Sequence, residues 1–153
     1  MHIELLADRP DLIPGLAALR WDEWGPEPAR PRLDDWVAVT AAEAGRAALP
    51  VTWVASDDAG TVLGGMGLAP FDPPERRDVS PWIVGAVVRR GRRGEGIGRA
   101  LFAELERWAR AAGHRRLWVA TGGPAVAFYQ RCGMETESAR GATVLTKVLV
   151  AER

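Results

Sequence analysis

From Arg89 to Arg99 the chain reads RRGRRGEGIGR, and these residue types at this spacing describe an anion site. Gly94, Gly96 and Gly98 strip side chains from a turn that leads into a helix, so a ligand reaches backbone N–H groups that lack partners at the helix start. Those donors and the helix dipole favour a phosphate or pyrophosphate, and Arg93 adds charge-assisted hydrogen bonds. The spacing is G-x-G-x-G rather than the G-x-G-x-x-G of a dinucleotide fold, and the next strand, Leu117 to Thr121, ends without a carboxylate. A P-loop is excluded by the absence of a Gly-Lys-Ser/Thr tripeptide, the single lysine being Lys147.

Such a loop needs a strand before it and a helix after it. WIVGAVV, from Trp82, is a nearly continuous apolar strand of the kind covered on both faces. Ile97, Leu101, Leu105, Trp108 and Ala112 recur at helical spacing, and Gly113 is placed to end that helix in a left-handed conformation. Upstream, HIELL predicts a short strand. A helix capped by Asp8 or Asp11 is expected to run through Leu16, Leu19 and Arg20 to about Trp24. The prolines at 26, 28 and 31 break the chain, and a second helix is expected from Leu33 to Ala47, with Asp34 and Asp35 at its positive end. VTWVASDD and TVLGGMGLA predict a hairpin turning at Asp58-Ala59-Gly60, its second strand weakened by Gly64, Gly65 and Gly67. PFDPPERRDVSP is a loop. RRLWVAT predicts a strand, PAVAFYQRC a short helix, and the tail a hairpin around Gly141. The order is β-α-α-β-β-β-α-β-α-β-β.

Arg93 to Gly98 fits the pattern R/Q-x-x-G-x-G/A, and AFYQRCGM, from Ala127 to Met134, is similar to A-x-x-F-Y-x-x-x-G-F. In this order and on these elements, the segment from Trp82 to Met134 resembles the GCN5-related N-acetyltransferase (GNAT) superfamily. The resemblance implies a single α/β (α+β) domain over residues 1–153. Its mixed, mostly antiparallel sheet would have about six to seven strands and about four flanking helices. The cofactor core would span about 82–134, with acceptor-side helices at about 8–47. It implies that Val87 and Val88 offer strand backbone to the pantetheine arm of acetyl-CoA, and that Arg93, Gly94, Gly96, Gly98 and Arg99 surround its pyrophosphate. It implies that Tyr129 protonates the departing thiolate. Two positions depart from the family pattern: Arg90 where proline is usual, and Thr121-Gly122-Gly123 where a polar residue such as asparagine is common.

Acetyl transfer to an amine also needs a polarised carbonyl and a base. Backbone N–H groups near Val87 are the candidates for the first. Asp72, Glu75, Asp78, Asp22 and Glu23 are candidates for the second, with Asp72 first by position before the cofactor strand. Trp21, Trp24 and Trp36 could line an acceptor pocket or pack a core or dimer interface. Cys132, the one cysteine, excludes an internal disulfide and reads as a helix residue rather than a nucleophile. His114 reads as structural and His2 as terminal. No metal is expected.

The chain has 153 residues and zero formal net charge, which gives no bulk attraction to nucleic acid or anionic lipid. RNA binding through the arginines is disfavoured because no aromatics interleave with them. The acidic start and the lack of a long apolar run predict no leader or membrane span and a cytoplasmic protein. The expected partner is a small-molecule or peptide amine, with a homodimer possible. The rival class is a non-catalytic acyl-CoA sensor or interaction domain of the same fold.

Overall fold

The computed structural model describes residues 1–149. Among them, seven strands form one sheet: β1 (His2–Leu5), β2 (Val51–Ser56), β3 (Val62–Ala69), β4 (Trp82–Val88), β5 (Arg116–Thr121), β6 (Glu135–Ser138) and β7 (Thr143–Val148). Their spatial order is β1-β2-β3-β4-β5-β7-β6. Every neighbouring pair is antiparallel except β4 and β5. The α-helices are α1 (Ile13–Trp24), α2 (Leu33–Ala42), α3 (Ile97–Ala111) and α4 (Ala125–Arg131). This is the mixed, mostly antiparallel sheet with flanking helices implied by the sequence resemblance.

Side-chain alternation along β2 separates two cores. Val51, Trp53 and Ala55 join Leu101, Phe102 and Leu105 of α3 on one face. Val54 joins Leu12, Leu16 and Leu19, at and before α1, on the other. On β4, Ile83 belongs to the α3 side and Val87 to the α1 side. Residues four apart on a regular strand share a face, so the strand must change register between them. It does: Val84 pairs with Gly67 and Val87 with Gly65, leaving Gly85 and Ala86 opposite the single residue Met66. This is a β-bulge, and Gly85 takes the left-handed φ of +60° that it requires. The glycine was the sequence sign of the bulge.

The sheet also opens. β4 and β5 run parallel and pair only at Trp82 and Trp118. Beyond that junction β4 continues to Val88 and β5 to Thr121, without pairing to each other.

Three local expectations are corrected. Neither Asp8 nor Asp11 caps α1: Asp11 accepts from Arg9 at 3.0 and 3.1 Å, and Asp8 pairs with Arg46. Short 3-10 turns at Leu6–Asp8 and Pro10–Leu12 lead in instead, with Pro14 in the first turn of α1. α2 stops at Ala42 rather than Ala47, because tertiary bonds capture the next residues. The Glu43 carbonyl accepts from Thr52 Oγ1 at 3.0 Å, and the Gly45 N–H donates to the Pro50 carbonyl at 2.9 Å. At the start of α2, Asp35 accepts the Arg32 N–H at 3.0 Å, as its position near the positive end anticipated. His2 is more than a terminal residue, its Nε2 lying 2.8 Å from Asp58 Oδ1 at the hairpin turn.

The β3 glycines are points of close approach rather than weakness, since the strand is buried along its length. A Cβ on Gly64 would lie 2.6 Å from the Val87 carbonyl oxygen and 3.3 Å from Val88 Cα, both backbone. Backbone cannot rotate away, so Gly64→Ala is expected to destabilise the protein by about 1–3 kcal/mol. The check is the urea midpoint at constant slope, and an unchanged midpoint would contradict the packing described.

Candidate active site

The glycine loop sits where the opened sheet meets α3. Gly94 and Gly96 adopt φ of +83° and +84°, and a Cβ built on either meets nothing within 4 Å. Neither glycine is there to make room for protein. α3 begins at Ile97 with no side-chain cap, and its first internal bond is donated by Ala100 to the Gly96 carbonyl. The N–H groups of Gly96, Ile97, Gly98 and Arg99 therefore find no acceptor among the described residues. Gly98 does a different job. Its Cβ would lie 3.0 Å from the Phe128 ring, so the missing side chain lets α4 dock against α3.

These donors open onto a cleft of about 1250 Å³, larger than a single small-molecule pocket requires. Its walls come from α1, α2, the 70–81 loop, the β4 bulge, the glycine loop and the ends of β5 and α4. Of the residues singled out in sequence, Asp72, Val87, Val88, Arg93, Gly94, Gly96, Gly98, Arg99 and Tyr129 line it, and Trp21 does not. Glu23 lines it too, whereas Asp22, Glu75 and Asp78 do not. Asp78 is held by Arg76 at 3.0 Å.

Charge is sorted along the cleft. Arg99, beside the glycine loop, and Arg131, at the end of α4, line the cleft and have no carboxylate partner among the described residues. Arg93 Nη2 pairs with Glu23 Oε2 at 2.8 Å, and its Nε donates to the Val88 carbonyl at 3.1 Å. The neighbouring arginines are structural: Arg89 donates to the Val62 carbonyl at 2.9 Å, and Arg92 pairs with Glu95 at 2.9 Å. The other half carries Glu27, Glu43 and Asp72 together with Arg30 and Arg20, which pair with Glu27 and Glu43 and leave Asp72 as the unbalanced charge. Asp72 has no ion pair among the described residues. Asp72 is exposed as a residue, but desolvation of its carboxyl, and then the nearby Glu43 carboxylate, push it above the usual range, with Arg30 opposing.

Tyr129 is buried at 4% exposure, its ring against Phe128 and Phe102 at centroid distances of 5.0 and 6.5 Å. Burial raises its phenol above the ordinary value, so it stays protonated through neutral pH. Burial likewise raises the Cys132 thiol, which lies outside the cleft lining. Lys147 is engaged with Glu106 at 2.9 Å and the Cys132 carbonyl at 2.9 Å. Trp24 and Trp36 line the cleft as a stacked pair, with centroids 5.8 Å apart and planes at 13°.

The sequence reading missed Arg20 and Glu43. Arg20 is 1% exposed on the inner face of α1, where its spacing of four from Leu16 was the available sign. Its Nε donates to the Gly85 carbonyl at 3.2 Å, and Nη1 donates to Thr40 Oγ1 at 3.1 Å and Glu43 Oε1 at 3.0 Å. One buried guanidinium thus ties α1, α2 and the bulge together. Burial pulls its pKa below the ordinary value, and Glu43 opposes that shift.

Comparison with solved structures returns the same architecture. An aminoglycoside 6'-N-acetyltransferase complexed with coenzyme A superposes with a TM-score of 0.79 at 16% identity, over 100% of this chain and 99% of that one. A ribosomal-protein-alanine N-acetyltransferase from Brucella melitensis gives 0.72 at 23% identity, over 97% and 100%. Tetrahymena GCN5 gives 0.74 at 12%, over 100% and 99%. At these identities the likeness speaks for the fold. No curated protein matches the sequence. The sequence profile of the Acetyltransferase (GNAT) family matches residues 13–134, a span that holds the glycine loop, the bulged strand and the Phe128-Tyr129 helix, and the chain belongs to that family of acetyltransferases.

Proposed function

We propose that the protein moves an acetyl group from acetyl-CoA directly to a primary amine. The observation that carries this reading is the row of open N–H groups from Gly96 to Arg99 at one end of the cleft. The donors and the uncompensated Arg99 and Arg131 suit a pyrophosphate. Arg93 reaches the same group by exchanging Glu23 for phosphate oxygens. The edge of β4 at Val87 and Val88, unpaired with β5, receives the pantetheine arm once Arg93 Nε leaves the Val88 carbonyl, and amide hydrogens near the bulge polarise the thioester carbonyl.

The acceptor enters from the side of α1 and α2. Asp72, with its raised carboxyl pKa, takes a proton from the amine, directly or through water. Nitrogen attacks the carbonyl carbon, the C–S bond breaks, and Tyr129 gives its phenolic proton to the leaving sulfur; solvent then takes the proton held by Asp72 and returns one to the phenolate. A phenol that stays protonated at neutral pH is in the state this step requires. Direct attack is favoured over an acyl-cysteine route because the Cys132 thiol is raised in pKa and lies outside the cleft lining.

Acetyl-CoA at a hundred times its Kd is expected to stabilise the fold by about 2.7 kcal/mol, a rise in Tm of roughly 5–10 °C. Arg93→Glu should weaken binding more than about tenfold, through loss of a charge-assisted contact and added repulsion. An undiminished thermal shift in the variant would remove Arg93 from the phosphate site.

Tyr129→Phe is expected to lower kcat by about 10²-fold with little change in cofactor affinity. Thiol release at the wild-type rate would strip the phenol of its role.

Asp72→Asn separates function from stability. Because the folded-state pKa of Asp72 is raised, its carboxylate form is disfavoured by the fold at neutral pH. That penalty is present above the raised pKa and disappears as pH falls below the ordinary aspartate range. The variant should therefore melt at the same temperature or higher near pH 7, gain nothing at strongly acidic pH, and lose most of its turnover. The wild-type rate should fall on the acid side above the usual carboxylate range. A variant with full turnover would assign the base elsewhere.

A further inference from the structure

Among the described residues, two buried side-chain polar atoms have no hydrogen-bond partner: Arg20 Nη2 and Trp36 Nε1. Both residues line the cleft, and both are almost fully buried, at 1% and 4% exposure. A buried donor without an acceptor loses its hydration and gains nothing in return, so two in one wall need a physical reason.

The two residues are linked through α2. Trp36 and Thr40 are one turn apart on α2 and share its face. Thr40 Oγ1 accepts from Arg20 Nη1 at 3.1 Å, which sets the guanidinium against that face. Nη2 is also the guanidinium atom nearest a Cβ built on Gly85, at 2.5 Å. The guanidinium therefore sits between α2 and the kink in β4, beside the point where the strand changes face, with Trp36 one turn before Thr40 on the same helix.

Their chemistry limits what fills them. Both atoms are donors and ask for an oxygen. Glu43 at 3.0 Å already balances the charge of Arg20, and Asp72 adds a carboxylate of its own to this half of the cleft. The missing partner is thus a neutral oxygen rather than an anion. For an oxygen to reach the buried indole N–H a neighbour of its ring must shift, and the neighbours are Trp24, 43% exposed and stacked on it, and Arg30, 5.2 Å over the ring.

We propose that Arg20 Nη2 and Trp36 Nε1 form an oxygen-binding subsite. The acceptor is then an amine with a neutral carbonyl or hydroxyl oxygen close to its nitrogen, as in an amino-acid amide or an amino alcohol. Alkyl amines and polyamines leave both donors empty. The inference rests on the acetyl-transfer reading above and deepens it.

The test is a ¹⁵N NMR titration of the CoA-saturated protein with glycinamide, ethanolamine and n-propylamine, the first two testing carbonyl and hydroxyl oxygens. Glycinamide or ethanolamine should shift the Trp36 indole N–H signal, and n-propylamine should not. A Trp36 signal that ignores both oxygen-bearing amines, or answers n-propylamine equally, overturns the subsite. The Gly94 and Gly96 amides, read on adding CoA, keep the two readings apart. If they stay fixed, the acetyl-CoA reading fails. If they move while Trp36 is silent, the subsite alone fails. In Trp36→Phe the ratio of kcat/KM for glycinamide over n-propylamine should fall about three- to tenfold, the worth of one hydrogen bond, and an unchanged ratio also overturns the proposal. The wild-type titration needs no variant, so the test survives if Trp36→Phe does not fold.

Discussion

The cleft exists because two parallel strands in the middle of the sheet hold each other at a single pair of residues. Trp82 and Trp118 join β4 to β5, their rings 6.4 Å apart, and past that point the strands part. An unpaired strand edge inside a protein is ordinarily a cost, since its N–H and C=O groups need partners. Here the edge of β4 becomes cleft wall, and the bulge at Gly85–Ala86 turns Val87 toward α1 just before the glycine loop begins. Sheet opening, bulge and loop are close neighbours along the chain. That is why one short segment carries most of the recognisable sequence signal.

The two halves of that signal are also joined physically. The Phe128 ring occupies the space that a side chain at residue 98 would fill, and Tyr129 follows it into the contact with Phe102. The start of α3 is thereby fixed relative to the phenol of α4. On the opposite wall Arg20 performs the equivalent task, fixing α1 and α2 to the bulge through three hydrogen-bonded partners. Removing one member of a buried charged network usually costs more than the network contributes. A buried arginine is therefore better understood as specifying one arrangement of the wall than as adding stability.

Legibility in the sequence followed the range of the determining interactions. The loop, α3 and the end of α3 at Gly113 were readable because glycine spacing and helical periodicity act over a few residues. The hairpin at Asp57–Thr61 was readable for the same reason, its turn being held by the Asp57 carboxylate. The end of α2 was not, because Glu43 and Gly45 are claimed by Thr52 and Pro50, and no local pattern announces that. The bulge was not read: Gly85 was a possible mark within a strand taken as continuous, and the register shift itself depends on β3. Arg20 and Glu43 were missed for a chemical reason. Charged residues are presumed solvated, so the spacing of Arg20 from Leu16 went unused, and only tertiary packing brings Glu43 to it. Of the carboxylates weighed as bases, position in the chain singled out Asp72, and folding brings it and Glu23 to the cleft while leaving Asp22, Glu75 and Asp78 out.

The pairing of Arg93 with Glu23 needs weighing against the phosphate reading, because it occupies the very side chain that reading uses. Both partners are substantially solvated, with side-chain exposures of 50% and 30%, and pairs of this kind contribute about 0–1 kcal/mol. A hydrogen bond from an arginine to a charged oxygen contributes roughly 1.5–3 kcal/mol, and a pyrophosphate at the start of α3 would meet several donors at once. The exchange therefore runs toward phosphate. Glu23 does not lose all compensation in the process, because Arg90 stands 3.6 Å from the same carboxylate. On the proposed function, the ion pair would be a resting place for Arg93 that keeps its guanidinium at the loop, weak enough to be exchanged.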